Sequence, residues 1–123
     1  MILNRETDYA VRIVACLSEN TRMDAKSIAA ACGVTPKFTL KILSKLCAGG
    51  ITKSYKGANG GYVLNKPPSE ITLLEVVEEI YGSLRLGSCE EKNCTHPEGF
   101  CRFRETFEGI SDYMRDTLSK VTF

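Results

Sequence analysis

The sequence predicts a mainly α fold in which three helices precede a small β-hairpin and a long helix closes the chain. Three observations predict it: two short amphipathic segments separated by Gly33-Val34, an Asn59-Gly60 pair between two β-rich runs, and a heptad-like apolar stripe near the C-terminus. Two helices joined by so short a turn form a helix-turn-helix, and a hairpin that follows directly is a wing. The expected fold class is therefore a winged helix-turn-helix with a long C-terminal dimerisation helix.

The first three helices begin at residues that commonly cap helices. The first is predicted over 7–19, with Thr7 or Asp8 as its cap. Asp24 is expected to cap the second helix, and Thr35 the third. Each segment repeats apolar residues every three or four positions, so each helix is expected to bury one face.

The chain divides into four predicted segments. The third has no apolar periodicity, and a structureless loop of this length is usually functional or disordered. In the fourth, an apolar stripe has the spacing of a heptad seam, which favours pairing with a second copy over packing on its own domain. The segments are a winged helix-turn-helix DNA-binding domain (1–66), a post-wing helix (67–81), a cysteine-containing cluster-binding loop (82–99) and a dimerisation helix (100–123). The predicted seam residues are Phe103, Phe107, Ile110, Met114 and Val121.

Charge is distributed unevenly along a chain of ordinary composition. The 123 residues are 43% hydrophobic and have a net charge of +1. Residues 1–66 contain ten Lys/Arg and four Asp/Glu, a net charge of +6, whereas 67–123 contain six and eleven, a net charge of −5. A basic half suits contact with a polyanion, and an acidic half suits the opposite side. The start of the chain lacks an apolar targeting segment, so a cytoplasmic location without membrane contact is expected.

The third helix and the wing contain the residues expected to contact double-stranded DNA. Lys37, Lys41 and Lys45 are four apart and share an exposed helical face, from which they can reach phosphates. The N-terminus of such a helix usually meets base edges, and a Lys/Asn wing tip suits the minor groove. The alternative is a solvated basic face on an unrelated helical domain. The remaining predicted contacts are Thr35, Phe38, Lys53, Tyr55, Lys56, Asn59 and Gly60.

Cys89 and Cys94 in the predicted loop and Cys101, just after its end, form a C-x4-C-x6-C pattern. Thiolates this close in sequence can hold one metal centre, and both iron–sulfur clusters and zinc favour thiolate ligands. The spacing leaves open a 2Fe–2S or 4Fe–4S cluster, a zinc site completed by His96, and a reversible disulfide. The other three cysteines fall on apolar helical stripes and are expected in the core. They are Cys16, Cys32 and Cys47.

An enzyme acting on a small-molecule substrate is not expected. The chain contains a single histidine, and neither a nucleophile–base pair nor a phosphate-cradling loop is visible. An iron–sulfur protein with no DNA role is a further alternative, and the basic third helix argues against it.

The chain resembles the family of bacterial transcription regulators typified by IscR and NsrR over nearly its whole length. The resemblance lies in the first-helix start at 8–12, the glycine-rich wing at 56–62, the helix at 71–77 and the cysteine triad before a long helix. It implies a homodimer with a winged helix-turn-helix fold. It also implies an iron–sulfur cluster that adjusts operator affinity in response to iron–sulfur, oxidative or nitrosative status.

The resemblance further implies a fourth cluster ligand outside the triad. IscR-like members have a histidine three residues after the last cysteine, where this chain has Arg104, which cannot ligate. NsrR-like members use an acidic residue of the first helix of the partner subunit, and Asp8 occupies the matching place. Asp8 is therefore the first candidate, and His96 and Glu105 follow it.

Overall fold

The computed structural model describes residues 4–19, 21–86 and 103–123. Within them it has five α-helices, one two-stranded antiparallel sheet and a 3-10 turn over Pro68–Glu70. The order confirms the winged helix-turn-helix predicted from the sequence. The elements are α1 (Arg5–Glu19), α2 (Ala25–Cys32), α3 (Pro36–Ala48), β1 (Thr52–Tyr55), β2 (Gly61–Leu64), α4 (Leu73–Tyr81) and α5 (Arg104–Ser119).

Two helices begin at different residues from those predicted, because hydrogen bonds cap them elsewhere. Asn4 Oδ1 accepts a hydrogen bond from the backbone N–H of Thr7 at 2.9 Å, so α1 begins two residues earlier than predicted. The prediction that Thr7 or Asp8 caps this helix is therefore wrong. Thr72 Oγ1 accepts from the N–H of Glu75 at 3.1 Å, and α4 begins two residues after Ile71, where the helix of the post-wing segment 67–81 is predicted to start.

One hydrophobic core contains side chains of the four helices α1, α2, α3 and α4 and of the base of the wing. Burial of a large aliphatic side chain stabilises a fold by about 1.5–3 kcal/mol. The apolar stripe of α3 is directed into this core, which leaves the opposite face of α3 at the surface. The large aliphatic side chains with no exposed surface include Ile13, Ile28, Ile42, Leu43, Leu46, Ile51, Ile71 and Leu84.

Met23, in the loop before α2, anchors the wing to the helices. β1 and β2 pair in antiparallel register from Thr52 opposite Leu64 to Tyr55 opposite Gly61. Met23 then bridges to β2, since it exchanges two backbone hydrogen bonds with Tyr62, at 2.7 and 3.2 Å. The wing is thereby held in a fixed place beside the helix-turn-helix.

α5 packs on α4, and the residues that follow α5 return to the start of α4. α5 ends at Ser119, so the helix predicted to run to about Val121 within the segment 100–123 is too long at its C-terminal end. Its predicted residues 100–102 lie outside the described residues. Val121 follows the helix, and its carbonyl accepts a hydrogen bond from Leu73 N–H at 2.8 Å. No helix in the described ranges is both long and apolar enough to cross a membrane.

Candidate nucleic-acid interface

Local capping fixes the orientation of the two helices of the helix-turn-helix. Asp24 Oδ1 accepts the N–H of Ser27 at 2.7 Å and caps α2, as predicted. Gly33 ends α2 with a φ of 67°, a left-handed conformation in which glycine carries no Cβ penalty. Thr35 then caps α3 by accepting the N–H of Phe38 at 3.3 Å. Thr35, Pro36 and Lys37 are exposed, so the N-terminus of α3 lies at the surface.

The predicted lysine stripe is present on α3, but two of its three members are paired within the chain. The Nζ atoms of Lys45 and Lys41 lie 2.9 and 3.2 Å from one oxygen, Oε1 of Glu6 in α1. Lys37 is exposed, and it has no ion pair within the described part of the chain. The sequence did not identify Glu6, because it lies 39 residues before Lys45 and on a different helix.

The N-terminal end of α3 is braced by an aromatic contact to α1. Phe38 is half-buried, and its ring meets that of Tyr9 edge-on with centroids 5.5 Å apart. Lys41 Nζ lies 5.4 Å from the centroid of Phe38. Thr35, Lys37, Phe38 and Lys41 line an open depression at this end of the helix. Four of the predicted contact residues thus share one surface, where Phe38 also has a packing role.

The wing residues lie at the surface, and an arginine missed by the sequence reasoning supports them. The Arg22 guanidinium lies 4.1 Å from the centroid of the Tyr55 ring and donates to Asn59 O at 2.8 Å. Lys53 Nζ lies 5.3 Å from the same ring, and Lys56 is exposed. A cation over an exposed tyrosine contributes about 0.5–1 kcal/mol. Arg22 therefore orders the wing and adds a positive charge beside it.

The wing tip is a four-residue turn closed by a hydrogen bond from Gly60 N–H to Gly57 O at 2.9 Å. Ala58 and Asn59 occupy its centre with negative φ, so it differs from the two-residue Asn-Gly turn, which needs positive φ. A Cβ on Gly60 would lie 2.6 Å from Tyr55 O. Glycine is required here because the two strands approach so closely, and Asn59 is left at the exposed tip.

The cysteines of the predicted cluster site, and His96, lie outside the described residues. Two candidate fourth ligands are described, and both Asp8 and Glu105 are exposed. The Asp8 carboxylate is 52% exposed and forms a 2.8 Å ion pair with Arg12, one turn later in α1. Across the described ranges, no three Cys, His, Asp or Glu side chains are grouped so as to hold a metal ion. A metal centre with three such ligands therefore needs at least one ligand beyond these residues.

A model of the Rrf2 family, described as an iron-dependent transcriptional regulator, matches residues 3–123. This chain belongs to the Rrf2 family. A curated relative, protein aau3 of Rhizobium meliloti, is 38% identical over 93 residues, which are 74% of this chain and 60% of that protein. The regulator NsrR of Geobacillus kaustophilus is 35% identical over 92 residues, 72% of this chain and 63% of its own length. The matched part is thus less than two thirds of either relative.

Solved structures share the fold of this Rrf2-family chain. CymR, the global cysteine regulator of B. subtilis, superposes with a TM-score of 0.79 at 24% identity, covering 98% of this chain and 91% of that one. IscR of T. potens gives 0.77 at 21% identity, covering 98% and 81%. Both likenesses extend over α5 as well as the winged helix, which confirms the winged-helix fold with its long C-terminal helix.

The predicted dimerisation residues divide between an exposed face and other positions. Phe103, Phe107 and Ile110 are 44–45% exposed, and the neighbouring Tyr113, which the prediction omitted, is 72% exposed. Met114 is half-buried. Val121 is exposed but lies beyond the end of α5, so its predicted place on the helical stripe is wrong. Within the described chain, α5 therefore presents an apolar face to solvent.

The three helical cysteines differ in their burial. Cys32 is buried in the core, where burial and the neighbouring Cys16 raise the pKa of its thiol to about 11. Cys16 is half-buried with its Sγ 3.6 Å from Met23 Sδ, and Cys47 is half-buried with its Sγ 3.1 Å from Thr52 Oγ1. The expectation of a fully buried position thus holds for Cys32, while Cys16 and Cys47 lie at the margin of the core.

Proposed function

We propose that this Rrf2-family chain binds an operator in double-stranded DNA as a homodimer, and that an iron–sulfur cluster controls its operator affinity. The description of the family as iron-dependent supports iron as the controlling element. The C-x4-C-x6-C pattern provides three thiolates, the ligand type that iron–sulfur clusters require. The exposed face of α3 and the wing provide the DNA-contacting surface.

The donor set fits such a cluster. Cys89, Cys94 and Cys101 would hold it, together with Asp8 of the partner subunit, and the bound cluster would provide an iron- and redox-responsive link between the two chains. Asp8 suits this role because its carboxylate is 52% exposed. Its ion pair with Arg12 is of the exposed i,i+4 kind, which contributes about 0.3–0.5 kcal/mol and is easily exchanged.

The observation on which the proposal mainly depends is the position of Asp8 between two contacts from α1 to α3. Glu6 precedes Asp8 by two residues and pairs with lysines of α3, while Tyr9 follows it directly and packs on Phe38 at 5.5 Å. A shift of the first turn of α1 would therefore move side chains on the DNA-contacting face. Ligation at Asp8 would change DNA affinity by this route.

The exposed apolar face of α5 supports the dimer. Phe103, Phe107, Ile110 and Tyr113 expose between 44% and 72% of their surface, which is unusual for large apolar residues so close together. Pairing of α5 with its copy would cover this face. It would also set the spacing of the two α3 helices, which must be about 34 Å to enter successive major grooves.

The first test is anaerobic purification followed by visible absorption, iron and sulfide analysis, and operator binding at fixed salt. We expect coloured protein with matched iron and sulfide, and loss of both when Cys89, Cys94 or Cys101 is replaced by alanine. Operator affinity should differ between the loaded and the iron-free protein. Equal affinity in both states would contradict the proposal. Colourless protein with stoichiometric zinc would indicate a zinc site in place of the cluster and would also contradict it.

The role of Asp8 is tested with a matched control on α5. Asp116 also forms an exposed i,i+4 ion pair, with Lys120 at 2.9 Å. We expect Asp8→Ala to accelerate cluster loss in air, measured as the decay of visible absorbance, while Asp116→Ala leaves the decay unchanged. Equal decay rates in the two variants would contradict ligation by Asp8.

A further inference from the structure

Glu6 lies within the basic surface that α3 presents. Its Oε1 accepts a hydrogen bond from Lys45 Nζ at 2.9 Å and forms an ion pair with Lys41 Nζ at 3.2 Å. The Glu6 side chain is only 21% exposed, whereas those of Lys45 and Lys41 are 39% and 57% exposed. The carboxylate is thus set below two ammonium groups that remain accessible from solvent.

The geometry resembles a phosphate contact made within the chain. One anionic oxygen lies within ion-pair distance of two lysines, as a phosphate oxygen of DNA would, and these lysines hold the pKa of Glu6 below its usual value. The carboxylate is therefore ionised at neutral pH. The third lysine of the stripe, Lys37, is not among the partners of Glu6 and remains available.

We propose that Glu6 competes with DNA phosphate for Lys41 and Lys45 and thereby limits the binding of this chain to non-specific DNA. A phosphate that takes either lysine must displace the carboxylate, which then gains a solvent cation. The net release of ions on binding is smaller than three free lysines would give. Base contacts at an operator would offset this cost, so Glu6 raises the ratio of specific to non-specific affinity.

The expected change in the salt dependence of DNA binding follows from the release of counterions. The logarithm of the binding constant falls linearly with the logarithm of the salt concentration. Each lysine that neutralises a phosphate of duplex DNA makes this negative slope steeper by about 0.9. The single Glu6 carboxylate takes up one cation when it is displaced, so removing its charge should steepen the slope by about 0.9. Over a fourfold change in salt, that difference corresponds to about a three- to fourfold change in relative affinity.

The experiment measures fluorescence anisotropy of a labelled random-sequence duplex between 50 and 200 mM salt. Glu6→Gln keeps the size of the side chain and removes its charge. Glu19→Gln makes the same change at the opposite, exposed end of α1 and corrects for net charge. We expect Glu6→Gln to bind this duplex more tightly than the wild type and with a steeper slope, so that the ratio of the two affinities rises about three- to fourfold from 200 to 50 mM salt. Glu19→Gln should stay within twofold of the wild type at both salt concentrations.

A second background shows whether the effect passes through the lysines. In Lys41→Ala/Lys45→Ala protein, Glu6→Gln should no longer alter affinity or slope. A persistent effect there, or weaker binding by Glu6→Gln in the wild-type background, would overturn the inference, since the second result means that Glu6 positions the lysines. If Glu6→Gln shows an altered unfolding transition, Glu6→Ser is measured in its place, because it also removes the charge of the carboxylate.

The inference rests on the proposed contact of α3 with DNA and is independent of the cluster. A wild-type chain that binds no duplex at any salt concentration would refute the proposed function. A wild-type chain that binds duplex, with Glu6→Gln indistinguishable from it, would refute only the role of Glu6.

Discussion

Ser111 joins α5 to the last described residues before the cysteine-containing stretch 87–102. The residue is 5% exposed, and its Oγ accepts the backbone N–H of Leu86 at 2.8 Å while it donates to Phe107 O at 2.8 Å. Leu86 is the last described residue before the stretch of sequence that contains the three cysteines. Ser111→Ala removes the acceptor and leaves the Leu86 N–H without its partner.

The loss in free energy of unfolding caused by Ser111→Ala follows from these contacts. A buried donor that loses its acceptor costs about 1–3 kcal/mol. Leu86 is half-buried, so water partly replaces the acceptor and the lower part of the range applies, about 1–2 kcal/mol. The backbone carbonyl of Phe107 loses only a second, additional donor. The free energy of unfolding should therefore fall by about 1–2 kcal/mol.

Ser119→Ala is the matched control. Ser119 is an exposed residue of the same helix, and its Oγ donates to Asp116 O at 2.7 Å. Both variants gain the same helix propensity, about 0.5 kcal/mol, so their difference isolates the bond to Leu86. Urea unfolding at one fixed protein concentration gives this difference. Amide exchange at Leu86 reports the bond directly and should accelerate in Ser111→Ala alone.

Two results would refute the reasoning about Ser111. Equal unfolding free energies of Ser111→Ala and Ser119→Ala would mean that the hydrogen bond to Leu86 does not stabilise the fold. Unchanged amide exchange at Leu86 would mean that another group accepts its N–H.

Three further predictions concern single side chains. Gly61→Ala should destabilise the fold by about 1–3 kcal/mol in urea unfolding, because its φ is 146° and a Cβ would lie 2.7 Å from Met23 O. Gly109→Ala on α5, where the added Cβ meets no atom of the described residues within 4 Å, should not destabilise it. Thr39→Val should leave the melting temperature unchanged or raise it, because the buried Thr39 Oγ1 has no hydrogen-bond partner in the part of the chain that the structure describes; a clear decrease would contradict this. Stability should fall by about 1–2 kcal/mol from pH 8 to pH 10, because Cys32 keeps its proton up to about 11 when folded and loses it near 9 when unfolded. Cys32→Ala should remove that part of the pH dependence.

The elements of the fold that depend on neighbouring residues could be predicted from the sequence. Asp24 and Thr35 cap their helices through hydrogen bonds to residues three positions later, and Gly33 ends α2 in the left-handed conformation. The hairpin after α3 follows from two β-rich runs around a glycine-containing turn. Such features need only contacts within a few residues, so the sequence pattern is sufficient to indicate them.

The N-cap of α1 was predicted wrongly because several residues near the start of this helix can cap it. Asn4, Thr7 and Asp8 all have side chains that can cap a helix, and sequence alone does not rank them. The choice of Asn4 extends α1 to include Glu6, which places that carboxylate in the first turn, against α3. A two-residue difference in a helix boundary thus decides which side chains face the lysine stripe.

The composition of the basic surface was decided by the tertiary structure. Sequence spacing placed Lys37, Lys41 and Lys45 on one face of α3, but their partner Glu6 belongs to another helix, and the wing support from Arg22 spans 37 residues. Such contacts depend on how the helices are oriented around the shared core, and that orientation results from the packing of many side chains at once. The sequence by itself therefore determined the helix-turn-helix, the wing and the candidate cysteine ligands. Only the packing of α1 against α3 decided that two of the three lysines are already paired with a carboxylate.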